Sequence, residues 1–456
     1  MKFTKKVLNT IVATTTALSM CGIQMFAEIQ PLKVEALDLN CLDYLTLRGY
    51  DDNKDGNYDY IEVSKCDKTA TEITIPDDIF GIPITIINYM AFYDCSNLTS
   101  ISIGNNVTEI EFDAFNGCEN LENVTLPSSL TTIGDRSFID CKSIVNIEIP
   151  DSVTSIGSNA FQNCERLEYI TLSSSLTNIG DKCFVDCKNI INIEIPDSVT
   201  SIGTNVFDGC ENLKNVSLPN NITNISDYLF SGCSSLETMV LPDTITSIGD
   251  RAFYECTNLT DITIPENVKK IGCSAFHECL SLQTVNYLSR KCSDITSDGN
   301  YQFYTYCDYG NYFDDITPVF SICPSLKTIN IGENVKYIPS ELFREIYEID
   351  ELNIFASGKL SIGFKAFEKS IDLEKYFSSK LDLEVEYMSH KNYRFPQMNI
   401  LVGTLVKHEK YGLGEVKAVY EDKNMIEIRF FFNGYGTRCF LFPHVFWLDK
   451  VKCCSD

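Results

Sequence analysis

The chain has four histidines, His277, His390, His408 and His444, and a single tryptophan, scattered rather than clustered. It has no H-E-x-x-H spacing, no G-x-S-x-G turn and no G-x-x-x-x-G-K-[ST] loop. Zinc hydrolysis, serine acyl transfer and P-loop phosphoryl transfer therefore have no residues to carry them. His277 lies near Cys279, but both fall inside a regular repeat, and a Cys–His dyad is the weaker reading of that pair. Positive charge is scarce as well: 37 Lys+Arg against 63 Asp+Glu leave a net charge of −26. Phosphate binding needs basic surface, so nucleic acid and anionic lipid are disfavoured as main partners. After Phe26 no apolar run is long enough to span a bilayer, and no L-P-x-T-G wall anchor is present. The expectation is a protein that is not an enzyme.

The chain is rich in a repeat. Cys95, Cys118, Cys141, Cys164, Cys187, Cys210, Cys233, Cys256 and Cys279 recur every 23 residues, each three residues after a phenylalanine. The unit reads C-x-x-L-x-x-I-x-I-P-x-x-V-T-x-I-G-x-x-A-F, as from Cys256 to Phe276. An unbroken period of this kind means a solenoid, whose repeats bury their apolar faces only against each other. The fold class is a β-rich array of about 12–13 such repeats over residues 71–370. The segment L-x-x-I-x-I alternates as a strand, with Leu98, Ile101 and Ile103 inward and Ser102 outward. Proline at the strand's end (Pro127, Pro150, Pro196) stops the ladder where an N–H is not needed. Glycine after the next isoleucine (Gly134, Gly157, Gly180, Gly203, Gly249, Gly272) suggests a backbone position with positive φ. The phenylalanines should stack as an aromatic spine. Ile147 to Gly157 recurs identically at Ile193 to Gly203, which points to duplication of a two-repeat block.

The consensus resembles the BspA-like, treponemal-type class of leucine-rich repeats. That resemblance implies a curved β-rich solenoid at a bacterial surface, with adhesion to host matrix or to another cell's surface protein as the family role. The N-terminus fits export. Lys2, Lys5 and Lys6 precede an apolar stretch from Val7 to Phe26, and Val34-Glu35-Ala36 supplies small residues before a cleavage point, with Ala27 as a second one. Residues 1–36 therefore read as a signal peptide and the protein as secreted or cell-surface. An uncleaved anchor is weakened by Thr14, Thr15, Thr16 and Ser19, and a lipoprotein box by Met20 before Cys21.

In an exported chain, 20 cysteines would suggest disulfides. One per repeat at a fixed position instead suggests a buried row of free thiols acting as small hydrophobes. Cys41 with Cys66 and Cys292 with Cys307 lie off that row and are the disulfide candidates. Residues 37–70 form a cap containing Asp51, Asn53, Asp55, Gly56, Asp59 and Glu62 in the spacing of a calcium loop. The residues after it look like a strand, so a structural turn is favoured over calcium. No other cofactor is indicated.

Two surfaces are candidates for a protein ligand. The first is an insertion, residues 288–319, holding Tyr301, Phe303, Tyr304, Tyr306, Tyr309 and Tyr312; it reads equally as a binding loop or as a decayed repeat. The second is the outward row Ser102, Thr125, Glu148, Thr171, Glu194, Ser217, Thr263 and Asn286, acidic at Glu148 and Glu194, for which a plain solvated face is the favoured reading. Residues 371–399 read as a linker. Residues 400–456 begin Gly403-Thr404-Leu405-Val406-Lys407-His408 and continue in alternating strands around Ile426–Phe430 and Cys439–Leu441, a small SH3-like barrel pattern. This segment resembles the Tudor/SH3-like tail of superfamily 1 DNA helicases and implies an interaction module alone, since motor motifs are absent. Three functions stay open: a non-catalytic adhesin, a spacer presenting the C-terminal module, and an intracellular interaction protein. Sequencing the mature N-terminus after cell fractionation decides the last. A start near Leu37 outside the membrane is expected, and an intact Met1 in the cytoplasm would overturn export.

Overall fold

The computed structural model describes residues 43–290, 292, 293 and 318–363, single positions between 366 and 376, and the strand segments Lys2–Phe3, Leu383–Tyr387, Leu405–His408, Gly412–Tyr420, Met425–Phe430, Thr437–Leu441 and Asp449–Lys450. Each repeat makes one solenoid turn with three sides. The first side is the strand foreseen from alternation, such as Asn146–Glu148, in which Ile147 is buried and its neighbours are exposed. These strands pair parallel and in register, Ser100 with Asn123 and Ser102 with Thr125 for example. The duplicated block is visible here as a pairing unit. Asn146–Glu148 pairs with Tyr169–Thr171, and Asn192–Glu194 with Asn215–Ser217.

The second side is a two-residue strand ending in the buried isoleucine of T-x-I-G. Glu109–Ile110, Thr132–Ile133, Ser155–Ile156, Asn178–Ile179 and Ser201–Ile202 form one parallel ladder. At its start this ladder joins Ile82–Ile87 and the hairpin Leu45–Tyr50/Tyr60–Cys66, which cap the solenoid. Because the cap's own strands complete the sheet, the first repeat does not expose an open edge.

The third side has no strand, yet it is fully hydrogen-bonded between repeats. Arg136, Phe138 and Asp140 donate their N–H groups to Ser158, Ala160 and Gln162 of the next repeat at 2.8–2.9 Å. The intervening Ser137, Ile139 and Cys141 close tight turns onto Gly134, Arg136 and Phe138. Alternating donors between outside and inside requires left-handed backbone at two positions per repeat, and it is there that φ is positive: Arg136 (56°) and Asp140 (59°), Asn159 (58°) and Asn163 (60°), Lys182 (57°) and Asp186 (56°). Asn and Asp tolerate this region best among non-glycine residues, and the ladder bonds offset the strain elsewhere.

The recurring glycines Gly134, Gly157, Gly180, Gly203, Gly249 and Gly272 are thus not the positive-φ residues that the sequence suggested. They mark a close approach instead. A Cβ on Gly157 would lie 2.5 Å from Asp135 N and 2.6 Å from Gly134 C, and one on Gly180 2.5 Å from Ser158 N. Only hydrogen fits between those backbones, and the gain is a bond from each glycine N–H to the preceding isoleucine carbonyl, such as Gly157 to Ile133 at 2.9 Å.

The core is a set of columns. Phe92 to Phe367 stack ring on ring in successive repeats, with centroids 4.7 Å apart at Phe92–Phe115 and 5.6 Å at Phe184–Phe207. The stack crosses the insertion unbroken, Phe276 on Phe320 at 5.0 Å. Beside it run the cysteines, all buried and unbridged from Cys95 to Cys279. Each thiol from Cys118 onward donates to the carbonyl of the phenylalanine in the preceding repeat, as Cys141 to Phe115 and Cys164 to Phe138 at 3.2 and 3.3 Å. Cys66 is buried beside Cys95 at the head of this row; its expected partner Cys41, like Cys307, lies outside the described residues.

Residues 383–387 depart from the expected linker. Leu383–Tyr387 pairs in parallel with Gly358–Ile362 and so extends the second ladder. The L-E-V-E-Y alternation there has the period of a strand. Further on, Thr437–Leu441, Met425–Phe430, Gly412–Tyr420, Leu405–His408 and Asp449–Lys450 form, in that order, one antiparallel sheet.

Phe161→Ala should cost about 3–5 kcal/mol, the usual range for emptying an aromatic core site. Gly157→Ala should cost about 1–3 kcal/mol through overpacking alone. Urea unfolding reads both, with no change expected from a methyl group at exposed Ser102. Burial also pushes up the thiols of Cys141, Cys187, Cys210, Cys233, Cys256 and Cys279, and that of Cys323 to about 12. Unfolded thiols titrate near about 8.5. A raised folded value means stability is constant below the unfolded pKa and falls as pH rises toward the folded one. Under reducing conditions the urea midpoint should hold from pH 6 to 8 and drop steeply above pH 9, and replacing two ladder cysteines by alanine should flatten that drop.

Candidate interaction surface

In-register stacking turns sequence positions into surface columns. The first side presents two of them to solvent. One holds Ser100, Asn123, Asn146, Tyr169, Asn192 and Asn215; the other holds Ser102, Thr125, Glu148, Thr171, Glu194, Ser217, Val240, Thr263 and Asn286. Glu148 and Glu194 are exposed, one rung to either side of Thr171. Sequence reasoning found the second column but passed over Val240, which is 81% exposed, and Tyr169 in the first column, 57% exposed. Both occur where the other repeats carry polar residues, and reading each repeat position as a column would have shown them. Glu168 accepts from the Tyr169 hydroxyl and raises its pKa.

Toward the C-terminal end the same face changes character. Asn286 Nδ2 donates to Thr263 Oγ1 (3.0 Å), Asn330 Nδ2 to Asn286 Oδ1 (2.7 Å), and Asn353 Nδ2 to Asn330 Oδ1 (2.9 Å). This asparagine relay was hidden in the sequence because the insertion sets Asn286 and Asn330 44 residues apart instead of 23. Strand Thr284–Tyr287 nevertheless pairs directly with Thr328–Ile331, so the insertion leaves the face continuous. The insertion's aromatic residues Tyr301, Phe303, Tyr304, Tyr306, Tyr309 and Tyr312 lie outside the described residues.

The third side carries two aromatic groupings that the sequence reading also missed. Tyr89 stacks on Phe112 at 5.7 Å, and the Arg136 guanidinium lies 5.3 Å above Phe112 while its Nε contacts buried Asp113 at 3.2 Å. Further along, Arg251 sits between Tyr228 (5.5 Å) and Tyr254 (5.6 Å), and Tyr254 stacks on His277 at 5.2 Å. His277 Nδ1 is bonded to Ser321 Oγ and its Nε2 lies 3.3 Å from the Glu278 carboxylate, whereas Cys279 donates to the Phe253 carbonyl. His277 and Cys279 are therefore not directed at each other, and no thiolate–imidazole pair forms there.

The cap loop is closed by its own bonds. Asp51 accepts from the N–H groups of Asp55 (3.1 Å) and Gly56 (2.9 Å), and Asp59 from that of Asp52 (2.7 Å), while Gly56 takes φ of 95°. Asn53 and Asp55 accept from Asp55 and Asn57 N–H in the same way. Glu62, the donor that a calcium loop needs at its last position, is buried on strand Tyr60–Cys66 and held by Arg48 (2.9 Å) and Asn88 (2.5 Å). A strand following the loop, rather than a helix, turns Glu62 to these partners. Among the described residues, no group of three or more His, Cys, Asp or Glu is placed to hold a metal ion, and no helix is long and apolar enough to cross a membrane.

Comparison with known proteins bears on this architecture. Comparison with curated proteins gives no match. Among solved structures, a leucine-rich repeat protein from Bacteroides ovatus is 24% identical, with 76% of this chain and 89% of that one aligned at a TM-score of 0.51, which speaks to the fold alone. A leucine rich cell surface protein from Faecalibacterium prausnitzii is 23% identical over 69% and 94% of the two chains, at a TM-score of 0.38. The pneumococcal vaccine antigen PcpA is 17% identical over 76% and 98%, at 0.42. The model of the BspA type leucine rich repeat region matches residues 85–192, 177–309 and 316–393. With its columns of cysteine, phenylalanine and isoleucine in the same phase throughout, the chain belongs to the BspA-type leucine-rich repeat family.

Proposed function

We propose that the chain is an exported, non-catalytic binding protein that engages a protein partner, of host matrix or of another cell's surface, through the strand face of its solenoid. The observation that carries this is the exposure of Tyr169 (57%) and Val240 (81%) on a face otherwise made of Asn, Ser, Thr, Asp and Glu. An apolar side chain left in water on a rigid polar scaffold gains most when a partner covers it, and tyrosine gives large contact area for little lost entropy. Carboxylates at Glu148 and Glu194 flank the tyrosine and favour a partner with basic groups at its rim. Residues 400–456 act, in this reading, as a separate attachment or contact module rather than as part of the solenoid surface.

The test uses labelled full-length protein and intact host-type or bacterial cells, with and without protease treatment of the cells. Wild-type protein should bind untreated cells and lose that binding after protease. Tyr169→Ala with Val240→Asn should weaken binding at least about tenfold, the effect of losing interfacial anchors of 1–2 kcal/mol. Equal binding by that variant removes the strand face from consideration, and binding that survives protease argues against a protein partner. Retention lost only on deleting 400–456 would favour the spacer role.

A further inference from the structure

The second-side ladder runs without a gap from the cap to Ser201–Ile202, stops, and restarts at Asn224–Ile225, Ser247–Ile248 and Lys270–Ile271. At the junction the repeat's glycine is replaced: Ile202-Gly203 and Ile248-Gly249 flank a repeat reading Ile225-Ser226. Gly203 donates its N–H to Ile179 at 2.9 Å and Gly249 to Ile225 at 2.8 Å. Between them, Ser226 reaches the Ile202 carbonyl with its hydroxyl instead, at 2.6 Å. The neighbouring bond is lost as well. Thr200 donates to Thr177 (3.0 Å) and Thr246 to Thr223 (2.7 Å), but among the described residues no such bond joins Thr223 to Thr200.

We infer that Ser226 splits the solenoid's second side and makes the junction between Ile202 and Ile225 a one-sided hinge. The cause is competition for one acceptor: the Ser226 hydroxyl takes the Ile202 carbonyl, whose counterparts in the flanking repeats accept a backbone N–H. At the flanking junctions a Cβ would sit 2.5 Å from Asp181 Oδ1 and 2.6 Å from Asp181 N at Gly203, and 2.6 Å from Asp227 N at Gly249. Glycine offers no side chain at this close approach, whereas Ser226 brings a hydroxyl that meets the Ile202 carbonyl in place of its own N–H. A missing aspartate cap does not explain the split. The junction at Gly180 also lacks one, having Ser158 where others have Asp135 or Asp181, yet Asn178–Ile179 pairs normally with Ser155–Ile156. Glu111 occupies the same repeat position as Ser226, also carries a Cβ, and keeps its bond to Ile87 at 2.9 Å; its carboxylate cannot donate to that carbonyl and accepts from Tyr89 N–H at 2.8 Å instead.

The other two sides stay closed across this junction. Asn192–Glu194 pairs with Asn215–Ser217, Phe207 donates to Leu229 at 3.0 Å, Gly209 to Ser231 at 2.8 Å, and the rings of Phe207 and Phe230 stack at 5.6 Å. Motion is thereby limited to opening or closing along the split edge, beside which lies an open pocket of about 240 Å³ lined by Thr204, Asn224, Ile225, Asp227, Ile248 and Lys270. Such a hinge lets the array open about its second side when its strand face is loaded.

Amide exchange on the full chain, resolved by fragment mass spectrometry, tests this. Thr223 and Ser226 amides should exchange at least about tenfold faster than those of Thr200 and Gly203, as expected for backbone groups outside the ladder. Ser226→Gly should restore protection to the level of the flanking repeats and raise the thermal midpoint. The reverse change, Gly203→Ser, should open the preceding junction; should that variant not fold, Ser226→Gly decides alone. Protection at Thr223 and Ser226 equal to that of their neighbours in the wild type, or exchange unchanged by Ser226→Gly, overturns the hinge.

Discussion

The structure depends on a single acceptor used twice. In each repeat the phenylalanine carbonyl takes the N–H of the cysteine three residues on, as Phe115 from Cys118, and the thiol of the cysteine one repeat later, as Phe115 from Cys141. One contact closes the turn and the other fixes the distance to the next copy. Buried carbonyls are costly when unsatisfied, and the thiol meets the second lone pair. Cysteine serves because its thiol is small enough for the narrow interior and still donates; burial then holds it neutral, which suits a donor. A serine would bring a stronger donor with a higher desolvation cost, and alanine would leave the lone pair empty.

Stacking in register means that every side chain meets a copy of its own position. Phenylalanine and isoleucine tolerate this well, since like surfaces interdigitate along the axis. Asparagine tolerates it too, because each amide both gives and takes, and the relay from Asn286 to Asn353 is built that way. Like charges do not stack well, and on the strand face the carboxylates Glu148 and Glu194 stand on alternate rungs with Thr171 between them. The two-repeat duplication preserves this spacing.

Glycine and left-handed backbone divide two tasks that a single residue type often performs together. Close approach of neighbouring chains falls to glycine on the second side, while positive φ falls mostly to Asp, Asn and longer residues on the third. Each task is repaid by an inter-repeat hydrogen bond from the position concerned. Where the first arrangement lapses, at Ser226, pairing is lost on that side alone. The aromatic and turn ladders hold the junction, which is why a single departure from consensus interrupts one side without ending the array.

The period of 23, the cysteine row, the phenylalanine spine and the inward isoleucines are all local regularities, and spacing alone determined them, together with the cap and the outward strand column. A periodic pattern is legible because stacking repeats one local solution. What the sequence could not decide was which atoms of neighbouring repeats touch. The glycines follow the isoleucines in a pattern that suits either positive φ or close packing, and only the tertiary backbone separation chose the second. Glu62 stands in calcium-loop spacing, but strand pairing delivered it to Arg48 and Asn88. Tyr169, Val240 and the Tyr228–Arg251–Tyr254–His277 stack are unremarkable within their own repeats; they become surfaces because stacking brings positions far apart along the chain to within a few ångströms.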